Sequence, residues 1–292
     1  MSPARSRANR ERKAGRQSED GRFVRQQDAF RRWISADGNS GLPASAGRYH
    51  LYVSLACPWA HRTIIVRRLK GLEDAIAMSV VDPIRDESGW AFRDVPGATP
   101  DPANGFTYLA EAYRATDPHY HGRVTVPVLW DTHAHAIVSN SDDDIMRMFE
   151  TEFDAFARKP ELALYPVSLR GEIDALNDAI YETIDDGVYR AGFASSQAAN
   201  ESTAYRVFET LDALDARLAG SRYLFGAAPV ETAWRLFVTL IRFDAVYHGH
   251  FKCNLRRIVD YRAQQLTVSV SATATGSATG WARRTGSSSP DG

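Results

Sequence analysis

Cysteine is scarce in this 292-residue chain: Cys57 and Cys253 are the only two. That is too few for the disulfide framework of a secreted domain. There is no C-x-x-C either, because Ala60 stands three residues after Cys57. A dithiol cycle at that turn is therefore excluded, and a catalytic Cys57 needs a resolving thiol from outside. Net charge is also missing. The 35 Lys and Arg against 36 Asp and Glu leave −1, which argues against a nucleic-acid binder that works by overall charge. No apolar run is long enough to span a membrane. The one basic stretch, residues 5–16, lacks the apolar core of a signal peptide, and Glu11, Glu19 and Asp20 count against a transit peptide. His248 and His250 have no third ligand at a usable spacing, so no metal is expected. What remains is a cytoplasmic, globular composition, 44% hydrophobic and 24% charged, long enough for two cores.

The informative stretch is Arg48-Tyr-His-Leu-Tyr-Val-Ser-Leu-Ala-Cys57-Pro-Trp-Ala-His-Arg62-Thr. Tyr49, Leu51, Val53 and Leu55 alternate with His50, Tyr52 and Ser54, the period of a strand. Pro58 suits the first turn of a helix. Ile65, Leu69 and Leu72 continue with helical spacing, and Gly71 is a stop signal. Cys57 thus falls just before a helix N-terminus, where unpaired N–H groups and the helix dipole favour a thiolate. His61 and Arg62 would add positive potential. A buried structural cysteine is the plainer alternative, but strand, Cys-Pro and helix coincide here.

These residues resemble the glutathionyl-hydroquinone reductases, the xi class of glutathione transferases. The resemblance runs over residues 21–261 through G-R-F-V-R-Q, G-R-V-T-V-P-V-L-W-D, G-V-Y-R-A-G-F-A and R-F-D-A-V-Y-H-G-H-F-K-C-N-L-R-R-I. It implies a thioredoxin-like α/β domain followed by an all-helical domain, with the site in the cleft between them. The expected divisions are an extension over 1–46, whose first part is loose, then domains over 47–155 and 164–261. A divergent low-complexity tail occupies 262–292, for which a shifted reading frame is one explanation.

The pattern along the chain agrees with that order. Residues 75–81 read as a second strand, 84–123 as a long loop, 124–131 as a strand holding Pro127, and 136–138 as its hairpin partner. Ser141 to Asp144 read as the cap and first turn of a short helix, with Ile145, Met148 and Phe149 facing in. Beyond residue 164 the stripes Ile173, Leu176, Ile180 and Val207, Leu211, Leu214, Leu218 are helical, with Gly220 as a stop and Trp234, Phe237 and Ile241 following.

By resemblance, Cys57 is the nucleophile, Tyr189 the proton donor, and Tyr247 helps lower the thiol's pKa. Glutathione, the co-substrate, is held by Trp90, Arg123, Val124, Thr125, Val126, Pro127, Ser141 and Asp142, and no metal takes part. On spacing alone, Tyr189 and Tyr247 also read as core tyrosines. The family implies a homodimer. An omega-like thiol transferase or dehydroascorbate reductase, or an inactive protein on the same fold, are the alternatives. Three departures bear on activity. Ser141-Asp142 replaces a Glu-Ser pair and sets a negative charge near a bound carboxylate. Val230-Glu231-Thr232-Ala233 replaces a Thr-Glu-Ala-Asp capping box. The tail replaces the family's last helices.

Overall fold

The computed structural model describes residues 17–264; most of the divergent tail and the first 16 residues lie outside them. The chain divides into two units, one of residues 27–166 and one joining the residues up to 26 to those from 167 onward. Of the stretch expected as a single extension, 1–46, residues 17–26 fall in the second of these units and 27–46 in the first.

In the first unit, β1 (Tyr49–Val53) is buried along its whole length. It ends two residues earlier than the alternation suggests. The Cys57 N–H donates to the Ser54 carbonyl at 3.1 Å, closing a turn that leaves Leu55 half exposed. Pro58 then opens α1 (Pro58–Lys70). Gly71 ends it in the left-handed region at φ 69°, its N–H returning to Arg67 and Arg68. A Cβ at Gly71 would also lie 2.7 Å from Arg158 Cβ, so two constraints select glycine. Of the expected stripe, Ile65 and Leu72 are buried and Leu69 is partly exposed; the buried face also holds Val66 together with Arg62 and Lys70. Each cation is buried with partners. Lys70 Nζ donates to Asp154 at 2.6 Å and to the Leu162 carbonyl at 3.1 Å, and Arg62 pairs with Asp142.

β2 (Ile76–Val80) runs parallel to β1, with Tyr49 opposite Ile76 and Val53 opposite Val80. β3 (Val128–Asp131) pairs antiparallel with β1, and β4 (Ala136–Ser139) with β3. The sheet order is β2-β1-β3-β4. The strand expected over 124–131 begins only at Val128, after a cis Val126–Pro127 bond; proline's missing donor keeps the ladder from starting earlier. The stretch 84–123 is not all loop. α2 (Leu109–Thr116) lies within it and buries Leu109, Ala112 and Tyr113. α3 (Asp142–Thr151) buries Ile145, Met148 and Phe149. The β-α-β, β-β-α order is thioredoxin-like.

The second unit is helical, with α4 (Arg170–Ile180), α5 (Gly187–Gly192), α6 (Gln197–Ala219) and α7 (Glu231–Arg242). Widened π-helical turns follow α4 at Tyr181–Asp185 and α7 at Phe243–Tyr247. Val207, Leu211, Leu214 and Leu218 are buried along α6. On α4, Asn177 rather than Leu176 is buried beside Ile173 and Ile180. Gly220 is not left-handed; it ends α6 at φ −102°. Val230 caps α7 without a side-chain bond. Below it, buried Glu231 accepts from Asn177 Nδ2 at 2.5 Å and lies 3.3 Å from Arg235 Nε.

Residues 17–26 are laced onto this helical unit. Gln17 Nε2 donates to the Phe193 carbonyl at 2.9 Å, the Ser195 N–H to the Gly21 carbonyl at 2.9 Å, and Ser196 Oγ to the Asp20 carbonyl at 3.0 Å. Gly21 sits at φ +84°, and a Cβ there would lie 2.9 Å from both serine oxygens.

Candidate active site

Cys57 is the N-cap residue of α1, in extended backbone and half buried. Its Sγ lies 3.6 Å from the Val126 carbonyl oxygen, on the residue that precedes cis Pro127. The sheet and the turn after β1 therefore bring the thiol beside an irregular backbone segment, residues 123–127. That segment is pinned from behind. Tyr120 Oη donates to the Arg123 carbonyl at 2.7 Å, Tyr113 Oη to the Thr125 carbonyl at 3.0 Å, and Asn140 Nδ2 to Thr125 Oγ1 at 3.2 Å. Burial pushes the Tyr113 pKa upward, so its hydroxyl stays protonated and keeps donating. Phe30 packs on both Tyr113 and Tyr120, and its N–H donates to Asn140 Oδ1 at 2.8 Å. Tyr113, Tyr120 and Asn140 were not singled out from the sequence. Two of them fall in the stretch expected as loop, and the third precedes the cap residue Ser141.

Arg123, Val124 and Thr125 are partly exposed, while Val126 and Pro127 are buried. Trp90 is partly exposed under the Arg85 guanidinium, 5.1 Å from the ring. Its loop is tied by Arg93, which donates to Asp82 at 2.5 Å and also bonds Asp86. Ser141 caps α3, its Oγ accepting from the Asp144 N–H at 3.3 Å. Asp142 accepts from Arg62 Nη1 at 2.9 Å, and that arginine is 1% exposed. Two expectations change here. The Asp142 charge is not bare, because a buried guanidinium, which also faces Asp143 at 3.8 Å, pairs with it. For the same reason the Arg62 charge is directed at Asp142 and stacked on Trp59 at 4.6 Å, not left over to raise the potential at Cys57.

The tyrosines expected to act with Cys57 lie in the helical unit. The Tyr189 and Tyr247 hydroxyls are 3.4 Å apart, on α5 and on the π-helical turn after α7. Phe193 and Phe251 complete an aromatic cluster, with Phe251 centred 5.3 Å from Tyr189 and 5.2 Å from Tyr247. Burial, reinforced by Tyr189, drives the Tyr247 pKa up, so this hydroxyl holds its proton. Tyr189 remains partly exposed. Gly192 is packed so closely that a Cβ would lie 2.5 Å from the Phe251 ring. Cys253 is fully buried, and burial pushes its thiol up to about 12; such a thiol is a poor nucleophile. Among the described residues no group of three or more His, Cys, Asp or Glu side chains is placed to hold a metal.

A half-buried thiol at a helix start, beside pinned backbone that precedes a cis-proline, can receive a peptide-like thiol compound and exchange with it. The protein's relatives agree. The glutathione S-transferase N-terminal domain family matches residues 56–152, and the C-terminal domain family matches residues 197–264. Glutathionyl-hydroquinone reductase YqjG of Escherichia coli K12 is 51% identical over 251 residues, covering 84% of this chain and 76% of that protein. The glutathione-bound structure of YqjG superposes with a TM-score of 0.81, over 85% of this chain and 82% of the other, at 49% identity. The xi glutathione transferase of Phanerochaete chrysosporium gives a TM-score of 0.83 at 46% identity, over 86% of each chain.

The chain belongs to the xi class of glutathione transferases. Within this class of fold the thioredoxin-like unit carries Cys57, and the helical unit carries the tyrosine pair. Among the described residues no helix is long and apolar enough to cross a membrane.

Proposed function

We propose that this xi-class transferase is a glutathione-dependent reductase that removes glutathione from glutathionyl-hydroquinones. The observation that carries the reading is the placement of Cys57 Sγ, at the N-cap of α1 and 3.6 Å from the Val126 carbonyl, with no second cysteine in its own unit. The backbone of Val124 to Val126 aligns the peptide of the bound thiol compound. Trp90 covers it, Arg123 attracts its glycyl carboxylate, and Ser141 with the first turn of α3 receives its γ-glutamyl end. The Asp142–Arg62 pair removes the repulsion that a bare Asp142 would exert there.

In the first step the Cys57 thiolate attacks the thioether sulfur. A sulfur–sulfur bond forms, the sulfur–aryl bond breaks, and the electron pair goes to the ring carbon, which takes a proton from Tyr189. The two sulfurs are oxidised and the ring is reduced. In the second step a glutathione thiolate attacks the mixed disulfide, releasing oxidised glutathione and restoring Cys57. Tyr247, held protonated, supports the Tyr189 hydroxyl with its own. We further propose a homodimer acting in the cytoplasm.

Mass spectrometry after one equivalent of glutathionyl-hydroquinone tests the reading. A glutathione adduct on Cys57 with one equivalent of free hydroquinone is expected. An unmodified protein, or one that reduces dehydroascorbate but spares the aryl thioether, would refute it.

A further inference from the structure

The Arg25 guanidinium lies over the Tyr189 ring, 4.9 Å from its centroid, and 5.5 Å from that of Phe23. It is fixed there by Asp186, whose side chain is 2% exposed and is bonded by Arg25 Nε on one oxygen. Arg190 Nε takes the other oxygen at 2.7 Å. One carboxylate therefore orients two guanidiniums, and the Arg25 cation is held against the ring that carries the Tyr189 hydroxyl. Among the described residues, charged groups near the tyrosine pair include Arg25, Asp186 and Arg190, with Arg242 and Asp185 on the Tyr247 side. Arg25 comes to this place through residues 17–26, seated by the bonds from Gln17, Ser195 and Ser196 and by Phe23 on Phe193 at 5.4 Å.

We propose that Arg25 is a positioning residue for proton transfer by Tyr189, delivered to the helical unit by the N-terminal segment. A cation on the face of a phenol stabilises the phenolate more than the phenol. Proton release from Tyr189 to the departing ring is thus eased, and the hydroxyl of Tyr247, 3.4 Å away, donates to the oxygen left behind. The planar guanidinium can stack on the ring and bond Asp186 together, which a lysine ammonium cannot. The inference rests on the reading of Tyr189 as the proton donor.

The two half-reactions separate this role from a merely structural one. Breaking the sulfur–aryl bond needs the proton; attack of glutathione on a preformed Cys57–glutathione disulfide does not. Arg25→Gln is expected to slow adduct formation from glutathionyl-hydroquinone roughly tenfold. It should leave resolution of the disulfide, preformed with oxidised glutathione, within about twofold of the parent. Arg25→Lys, which keeps charge near the ring and serves if the glutamine variant folds poorly, should fall between. In a Tyr189→Phe background, Arg25→Gln should slow adduct formation no further. Equal slowing of both half-reactions, additive effects in the double variant, or no effect of Arg25→Gln would each overturn the inference alone. A Tyr189→Phe protein as fast as the parent would overturn it together with the proton-donor assignment. Absence of any adduct in the parent would overturn the proposed function as well.

Discussion

Arg62 and Asp142 form an ion pair whose cation has almost no contact with water, so removing one partner takes a close counter-charge from the other. Arg62→Met is expected to cost about 2–3 kcal/mol, less than for a wholly buried pair because Asp142 keeps some solvent contact. Surviving folded protein should bind glutathione more weakly, since Asp142 then lacks the Arg62 guanidinium. Denaturant melts and a glutathione titration check the two effects. Cys57→Ser makes a contrasting prediction. Cys57 is partly exposed and its thiol contact to the Val126 carbonyl is long, at 3.6 Å; a hydroxyl can take the same place, so the melt should move by no more than about 0.5 kcal/mol. Turnover should fall by at least ~100-fold, because a hydroxyl at neutral pH is a poor substitute for a thiolate.

At the scale of elements, β1 and β2 are joined inside the sheet by His50 Nε2 and Ser79 Oγ, 2.8 Å apart. Burial lowers the His50 pKa below 6.5, Arg67 lowers it further and Asp101 opposes. The unfolded chain then takes up a proton near pH 6.5 that the folded chain refuses until lower pH. Stability should fall as pH drops through that window and level off below the folded pKa. His50→Gln should show a flatter decline, read as the difference in urea midpoint between about pH 7.5 and 5.5. At the start of α7, Val230 offers no side-chain oxygen as a cap. The Ala233 N–H already donates to the Val230 carbonyl at 3.0 Å; Val230→Thr should add a hydroxyl that shares it, raising thermal stability by at most about 1 kcal/mol.

What could be read locally was read well. Pro58 and Gly71 mark the ends of α1 by backbone conformation alone, and Ser141 marks the start of α3 by its oxygen. The α6 stripe repeats often enough to declare its face. α2 was hidden because only Leu109, Ala112 and Tyr113 of its eight residues are buried. Its cap is Glu111 reaching back to the Thr107 and Tyr108 N–H groups, not a serine or threonine. Pairs far apart in sequence leave no local trace. Arg62 and Asp142 are 80 residues apart, and Arg25 and Asp186 are 161 apart. The sequence therefore marked Asp142 as a liability without showing its counterion, and quoted Arg25 within a motif without showing its target.

Taken whole, the molecule has one unit formed from a continuous stretch, 27–166, and another whose residues come from both sides of it. The continuous unit contains its own sheet, the ties of Tyr113 and Asn140, and the pairs that bury Arg62 and Lys70. Expressed alone, residues 27–166 should show cooperative unfolding by far-UV circular dichroism. Residues 167–264 alone should melt at lower temperature than the same fragment mixed with a peptide of residues 17–26, because Phe193 and the carbonyl-bonding groups of Ser195 and Ser196 would lack their partners. Equal melting with and without the peptide would contradict this.

That arrangement sets a timetable during translation. The strip bearing Arg25 leaves the ribosome first, yet its seat on α5 and the start of α6 emerges some 160 residues later. Until then the strip must wait as an unpaired leader while the sheet matures behind it. A stalled or truncated polypeptide would thus carry a finished thiol-bearing unit flanked by a guanidinium without its seat; under the proposed mechanism, the group that attacks is in place well before the group that protonates.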